Sequence, residues 1–189
     1  RVLQEIMELK GRGLEGVVIS ARWPIHFAHN SFSVADIPRS GLVQTDEKIL
    51  VQVRADIQAD LDLTLTSLER SGLRVVVLAP TPQLIYHAPA CLASLDTSRC
   101  DVARSLNDAL LTDVTAALAE VVSRHPNARL VQVMDFFCDE QTCHAVRDGK
   151  ILYHDDDHLT ITGARELGRY LSADLAWLRG KPDAAGGVK

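Results

Sequence analysis

The chain has 189 residues, 47% of them hydrophobic and 24% charged, with a formal net charge of −5. That length supports one well-buried core and is too short to expect two, and the acidic balance without a Lys/Arg cluster excludes a surface that tracks nucleic-acid phosphates. No apolar run approaches the roughly 20 residues needed to cross a bilayer, and Arg1 to Lys10 reads as an amphipathic helix, not a signal sequence.

Segments alternate between helical and extended character, the pattern of βα units around a mainly parallel sheet. Val2, Ile6 and Leu9 share one helical stripe. Gly11, Gly13 and Gly16 then break the chain ahead of Val17-Val18-Ile19, a short apolar run suited to a buried parallel strand. Residues Trp23 to Thr45 contain prolines and serines with no sustained period, so they read as a long loop at the strand's carboxyl end, where open α/β sheets place ligands. Asp46 to Ser71 predicts a helix burying Ile49, Val53, Ile57, Leu61, Leu65 and Leu68, stopped by Gly72. Arg74 to Leu78 is the next strand, ended by Pro80 and Pro82. Gln83 to Asp101 is irregular. Val102 to Arg124 predicts a second long helix with Leu106, Leu110, Val114, Leu118 and Val121 inward, and Leu130 to Met134 a further strand. Asp148-Gly149 signals a tight turn. From a cap at Thr160 or Thr162, a last helix buries Ala164, Leu167, Leu171, Leu175 and Leu178, and residues 181–189 read as a flexible tail.

The four cysteines form two sequence-local pairs, Cys91 with Cys100 and Cys138 with Cys143. Of three possible connectivities this is the simplest, and it suits an oxidising compartment. The alternative is four reduced, partly buried thiols. A zinc site is disfavoured, because Cys-x4-Cys lacks a matching pair nearby.

The run Tyr153-His154-Asp155-Asp156-Asp157-His158-Leu159-Thr160 carries the clearest chemistry. An Asp three residues ahead of a His can hold the ring's Nδ1–H, which fixes the tautomer that leaves Nε2 free to take a proton. His158 is then the base and Asp155 its orienter, Asp157 an acceptor of backbone N–H bonds in the turn, and Asp156 a solvated side chain. A helix amino terminus just after His158 lowers its pKa while Asp155 raises it. The bland alternative is a surface histidine in an acidic turn. A metal alternative uses His154, Asp155 and His158, with His26 and His29 in the long loop as further ligands, although His154 and His158 converge best on a helix and this run reads as a turn. Arg22 and Trp23, ending a buried strand, can serve an oxyanion or anion and a sugar ring, or else an indole caps the core and a guanidinium pairs with a nearby acid.

The Asp155-x-x-His158 block resembles that of SGNH (GDSL-like) hydrolases, and Leu152-Tyr153-x-Asp155-x-Asp157-His158-Leu159-Thr160-x-x-Gly163-Ala164 is similar to the SGNH domain fused to membrane acyltransferase-3 proteins. The strand ending Ser20-Ala21-Arg22-Trp23, the strand with Pro80-Thr81-Pro82, the Cys91 to Cys100 loop with Ser98-Arg99, and the Cys138/Cys143 pair agree with that version, so the resemblance runs from about Gly16 to Leu178. It implies a three-layer αβα sandwich with a mainly parallel, flavodoxin-like sheet lacking its first strand, a partial domain over residues 1–180, and a tail over 181–189. It further implies O-acyltransferase or acetylesterase chemistry on a cell-surface polysaccharide, with catalytic Asp155 and His158 and with Arg22 and Trp23 as substrate or oxyanion candidates. No cofactor or metal is implied, because a membrane acyltransferase domain in cis supplies the acyl group; the location is periplasmic or otherwise extracytoplasmic. The family's Gly-Asp-Ser turn and Gly-x-Asn block have no counterpart here. The nucleophilic serine is therefore expected upstream of Arg1, and this chain alone is expected to be inactive. A non-catalytic glycan-binding domain is the rival from a different functional class.

Overall fold

A computed structural model describes residues 2–24, 47–84, 91, 93 and 100–180. In chain order the elements are α1 (Val2–Lys10), β1 (Gly16–Ile19), α2 (Glu47–Arg70), β2 (Arg74–Leu78), β3 (Val102–Ala103), α3 (Arg104–Val122), β4 (Ala128–Val131), α4 (Met134–Phe137), β5 (Thr142–Cys143), β6 (Val146–Arg147), β7 (Lys150–Ile151), α5 (Ile161–Tyr170) and α6 (Ser172–Leu178). The main sheet is parallel in the order β1-β2-β4, with Val17 beside Val75 and Val77 beside Leu130. Parallel neighbours require crossovers, and α2 and α3 lie on them.

Side chains alternate across a strand, so β2 serves two layers. Val75 and Val77 join Leu61, Leu65 and Leu68 of α2 and Val114, Leu118 and Val121 of α3. On the opposite face the Arg74 guanidinium lies over the Trp177 ring at 5.3 Å, and Gly16 leaves room for Leu178. Helices therefore cover both faces of a parallel sheet, the α/β class expected from the alternating pattern. Among the described residues no helix is long and apolar enough to cross a membrane.

The elements depart from the sequence expectations where tertiary contacts override periodicity. The second long helix begins at Arg104, because Val102 and Ala103 pair antiparallel with Cys143 and Thr142. Its first turn is rotated from the expected face. Leu106 is exposed and Asn107 buried, because the Asn107 side chain holds the chain after β2: its Oδ1 accepts the Gln83 N–H at 2.7 Å, and its Nδ2 donates to the Gln83 carbonyl at 3.2 Å. The last helix is broken at Leu171, and Gly163 is buried in place of the expected Ala164. Asp148 and Gly149 both take positive φ, 50° and 71°, and close the β6–β7 hairpin as the Asp-Gly signal predicted. The histidines at 26 and 29, the Ser98-Arg99 pair and the 181–189 tail lie outside the described residues, as do the side chains of Ile49 and Val53.

Disulfides join Cys91 to Cys100 and Cys138 to Cys143. His144 links the two loops, its Nδ1 2.9 Å from Asp101 Oδ2 and its Nε2 3.0 Å from Asp139 Oδ2. Partial burial lowers the His144 pKa, but the bonds to Asp101 and Asp139 outweigh it and lift it above the usual 6.5. N–H groups of Gln141 and Thr142, together with His144, hold Asp139 at about 2 rather than 3.8. The histidine's contribution to stability is complete below its unfolded pKa and fades as pH rises through the lifted value. The carboxylate's is complete above its unfolded pKa and fades as pH falls towards 2. Non-reducing urea denaturation should therefore show His144→Asn costing more stability at about pH 5.5 than at about pH 8.5. Equal losses at both would show that the fold does not raise the imidazole's pKa.

Candidate functional site

The acidic turn is closed by two antiparallel segments pinched together. Tyr153 and Leu159 form a β-bridge, the His154 N–H donates to the His158 carbonyl at 2.7 Å, and the Thr160 N–H donates to Leu152 at 2.9 Å. Thr160 then caps α5, its Oγ1 accepting the Gly163 N–H at 2.9 Å. Tyr153 is buried beneath the turn, with its hydroxyl donating to the Pro82 carbonyl at 3.0 Å, and the Leu84 N–H donates to the Asp156 carbonyl at 2.8 Å. The segment after β2 is thus strapped to the turn from one side and to Asn107 from the other.

Within the turn, His158 Nδ1 sits 2.8 Å from Asp155 Oδ2. Asp155 Oδ1 accepts the backbone N–H groups of Asp157 at 3.0 Å and His158 at 2.7 Å. Burial works against ionising Asp155, but those two N–H groups and the imidazole more than offset it and hold the carboxyl at about 2. An ionised carboxylate only accepts, so the proton on that edge of the ring belongs to Nδ1, and Nε2 is left with its lone pair. His158 is pulled above its ordinary pKa by the bond to Asp155 and by the charges of Asp157 and Asp155. Between the helix terminus and the carboxylates, the carboxylates prevail. One physical reason is that Thr160 already satisfies the Gly163 N–H at the start of α5.

Asp157 and Asp156 differ from their expected roles. The Asp157 side chain is 7% exposed and reaches both His158 Nδ1, at 3.1 Å from its Oδ1, and the Arg22 Nε, which pairs with its Oδ2. It is Asp155 that accepts the turn's N–H bonds. Asp156 is partly buried and lies 3.6 Å from Arg22 Nη2. Among the described residues His154 does not join the cluster; there Asp155, Asp157 and His158 are the groups whose ligand atoms lie within 4.8 Å of one another, so a metal alternative would have to use Asp157 in its place.

Arg22 follows β1 and closes onto the acidic turn, the pairing with a nearby acid that the sequence left open. Trp23 is turned inward at 6% exposure, its indole N–H donating to the Leu78 carbonyl at 2.8 Å among the α2 and α3 side chains. That placement is the core capping that the sequence left open beside sugar stacking.

A cleft of about 300 Å³ opens at the carboxyl ends of β1 and β2, where parallel sheets place ligands. Ser20 and Arg22 line it from β1, Thr81 and Gln83 from the segment after β2, and Asp157 and His158 from the turn. Ser20, Thr81 and Gln83 were not singled out by the sequence; their position after an apolar strand was the available signal. A wider groove, about 1140 Å³, lies between β4, the β6–β7 hairpin and α5. It holds no histidine paired to a carboxylate, so the smaller cleft is the better candidate for chemistry.

A family model described as the SGNH domain fused to AT3 domains matches residues 1–173. Among solved structures, the chain is similar to the periplasmic domain of a Salmonella ser. Paratyphi A lipopolysaccharide acetyltransferase, with 14% identity, 72% of this chain and 53% of that chain covered, and a TM-score of 0.44. The chain spans about half the length of that domain. No curated protein matches it.

Proposed function

The chain belongs to the family of SGNH domains fused to AT3 domains, and from that premise we propose that it is part of an enzyme that moves an acyl group, acetyl foremost, onto or off a hydroxyl of a cell-surface polysaccharide. The observation that carries this reading is His158, its Nδ1 seated against Asp155 and its ring lining the cleft at the ends of the parallel strands. The nucleophilic serine of the parent protein attacks the carbonyl carbon of the acyl donor while Nε2 of His158 takes the hydroxyl proton. The tetrahedral intermediate collapses, the donor leaves with that proton, and the acyl group stays on the serine. A sugar hydroxyl, giving its proton to the same Nε2, then attacks the acyl-serine, and the proton returns to the serine as the ester forms. Water in place of the sugar gives hydrolysis. No metal or cofactor enters these steps, and a membrane acyltransferase domain in cis presents the acyl group. The two disulfides support an extracytoplasmic, periplasmic setting for the domain.

The test uses the full-length parent protein with an acyl donor and purified polysaccharide, reading base-labile acyl esters on the glycan by NMR. A serine-directed phosphonate should label the protein once and stop the reaction. Turnover that survives the phosphonate but stops with a chelator would replace this reading with a metal-dependent one; glycan binding with no turnover would replace it with a binding module.

A further inference from the structure

We propose that Arg22 and Asp157 form a positioning pair for His158, with Asp157 a second carboxylate against the Nδ1 edge of the ring and Arg22 the counter-charge that keeps this carboxylate ionised and in place. The inference rests on the reading of His158 as a base and assigns a role to two residues that reading leaves unused. Asp157 spans the gap with its two oxygens, Oδ1 lying 3.1 Å from His158 Nδ1 and Oδ2 meeting the Arg22 guanidinium. Its side chain is 7% exposed, and a carboxylate so enclosed favours its neutral form unless a cation stands beside it. A protonated Asp157 would present a hydrogen to an Nδ1 that already carries one. Burial does push its carboxyl upward, and Arg22 is the group that opposes this most.

Among the described residues, the charged groups acting on His158 are Asp155 and Asp157 within the turn and Arg22 from the end of β1, with Asp156 beside Arg22. The segment after β2 adds Thr81 and Gln83 to the cleft, and neither titrates. A second carboxylate on the same edge restricts the ring further, because rotation about the Cβ–Cγ bond carries Nδ1 away from both charges together. The pair also ties the turn to β1, so the base and the strand end that line the cleft move as one unit. Arg22, its charge shared between Asp156 and Asp157, is accordingly a positioning residue here and not a free oxyanion donor.

Histidine ring titration by NMR on the 189-residue chain tests this, with the His158 signal identified by its absence in His158→Ala. Asp157→Asn should lower the His158 midpoint, and Arg22→Gln should lower it too, because Asp157 without its counter-charge takes up a proton and no longer holds the imidazolium; a raised midpoint in Arg22→Gln would show that Asp157 stays ionised unaided and would overturn the counter-charge role. Arg22→Lys should restore most of the wild-type value, which a packing role alone would not predict. Asp155→Asn serves as the reference and should lower the midpoint further than Asp157→Asn. An unmoved midpoint in both Asp157→Asn and Arg22→Gln, with Asp155→Asn still lowering it, overturns the proposal. If Asp157→Asn does not fold, the Arg22→Gln and Arg22→Lys midpoints decide alone, and identical midpoints in those two overturn it. The titration needs no turnover, so it stands or falls apart from the acyl-transfer reading, whose own failure would be turnover indifferent to His158.

Discussion

Replacing His158 with alanine should lower acyl turnover by the full-length parent protein by about 10⁴-fold or more, with the loss in kcat, because the imidazole acts on the reacting proton and not on bound substrate. The expectation follows from the ring's setting: Nδ1 is committed to Asp155 at 2.8 Å, and the side chain lines the strand-end cleft while 70% exposed. A base must be neutral to work. Because its carboxylate neighbours raise the His158 pKa above 6.5, turnover should climb with pH through a midpoint higher than that of a free histidine. Asp155→Asn should cost about 10³- to 10⁴-fold and move that midpoint down, since the amide removes the charge and presents the ring with either a donor or an acceptor. Steady-state kinetics from about pH 5 to pH 9 on both variants would check this. Turnover within a few-fold of wild type in His158→Ala would remove the ring from the mechanism altogether.

The Asp155–His158 pair was legible because it is local: three residues of separation in a tight turn leave few ways for the two groups not to meet, and the turn's own N–H groups lock the carboxylate. The parallel sheet was legible for a similar reason, since β2 is a continuous apolar run bounded by Gly72 and Pro80, and its limits fall where the sequence put them. What the sequence did not reveal depends on contacts between distant segments. Arg22 meets Asp157 across 135 positions, and nothing in Ser20-Ala21-Arg22-Trp23 says which of three aspartates it will choose. Whether Trp23 faced sugar or core was likewise decided elsewhere, by a carbonyl on Leu78 and the apolar faces of α2 and α3. The first turn of α3 shows the same effect on a helix. Hydrophobic spacing favoured Leu106 inward, but a loop that needed both its backbone groups satisfied drew Asn107 into the interior.

A one-residue miss in the first turn of the last helix, whose Leu167, Leu171 and Leu178 are buried as expected, leads to the second large effect. Periodicity put Ala164 against the core, whereas Gly163 is the residue that meets it, and it does so by backbone contact. A Cβ on Gly163 would stand 2.2 Å from the Leu152 carbonyl oxygen and 3.0 Å from its carbon, and Leu152 is 1% exposed, so neither side has room to yield. That same carbonyl accepts the Thr160 N–H, and Thr160 caps the helix and closes the acidic turn. Gly163→Ala should therefore destabilise the chain by about 2 kcal/mol or more, the overpacking cost exceeding the roughly 1 kcal/mol that alanine gains over glycine inside a helix. Gly168, on the same helix with nothing within 4 Å of an added Cβ, provides the contrast. There the alanine variant should stabilise by about 0.5 to 1 kcal/mol, because only the propensity gain remains. Non-reducing urea denaturation of the two variants reads both signs directly. Because the strain at Gly163 falls on the residues that seat His158, its alanine variant should also lose turnover in the parent protein while Gly168→Ala keeps it. A Gly163→Ala chain as stable as wild type would mean that α5 can slide along Leu152 without disturbing the turn, and the close approach would then carry no positional information for the base.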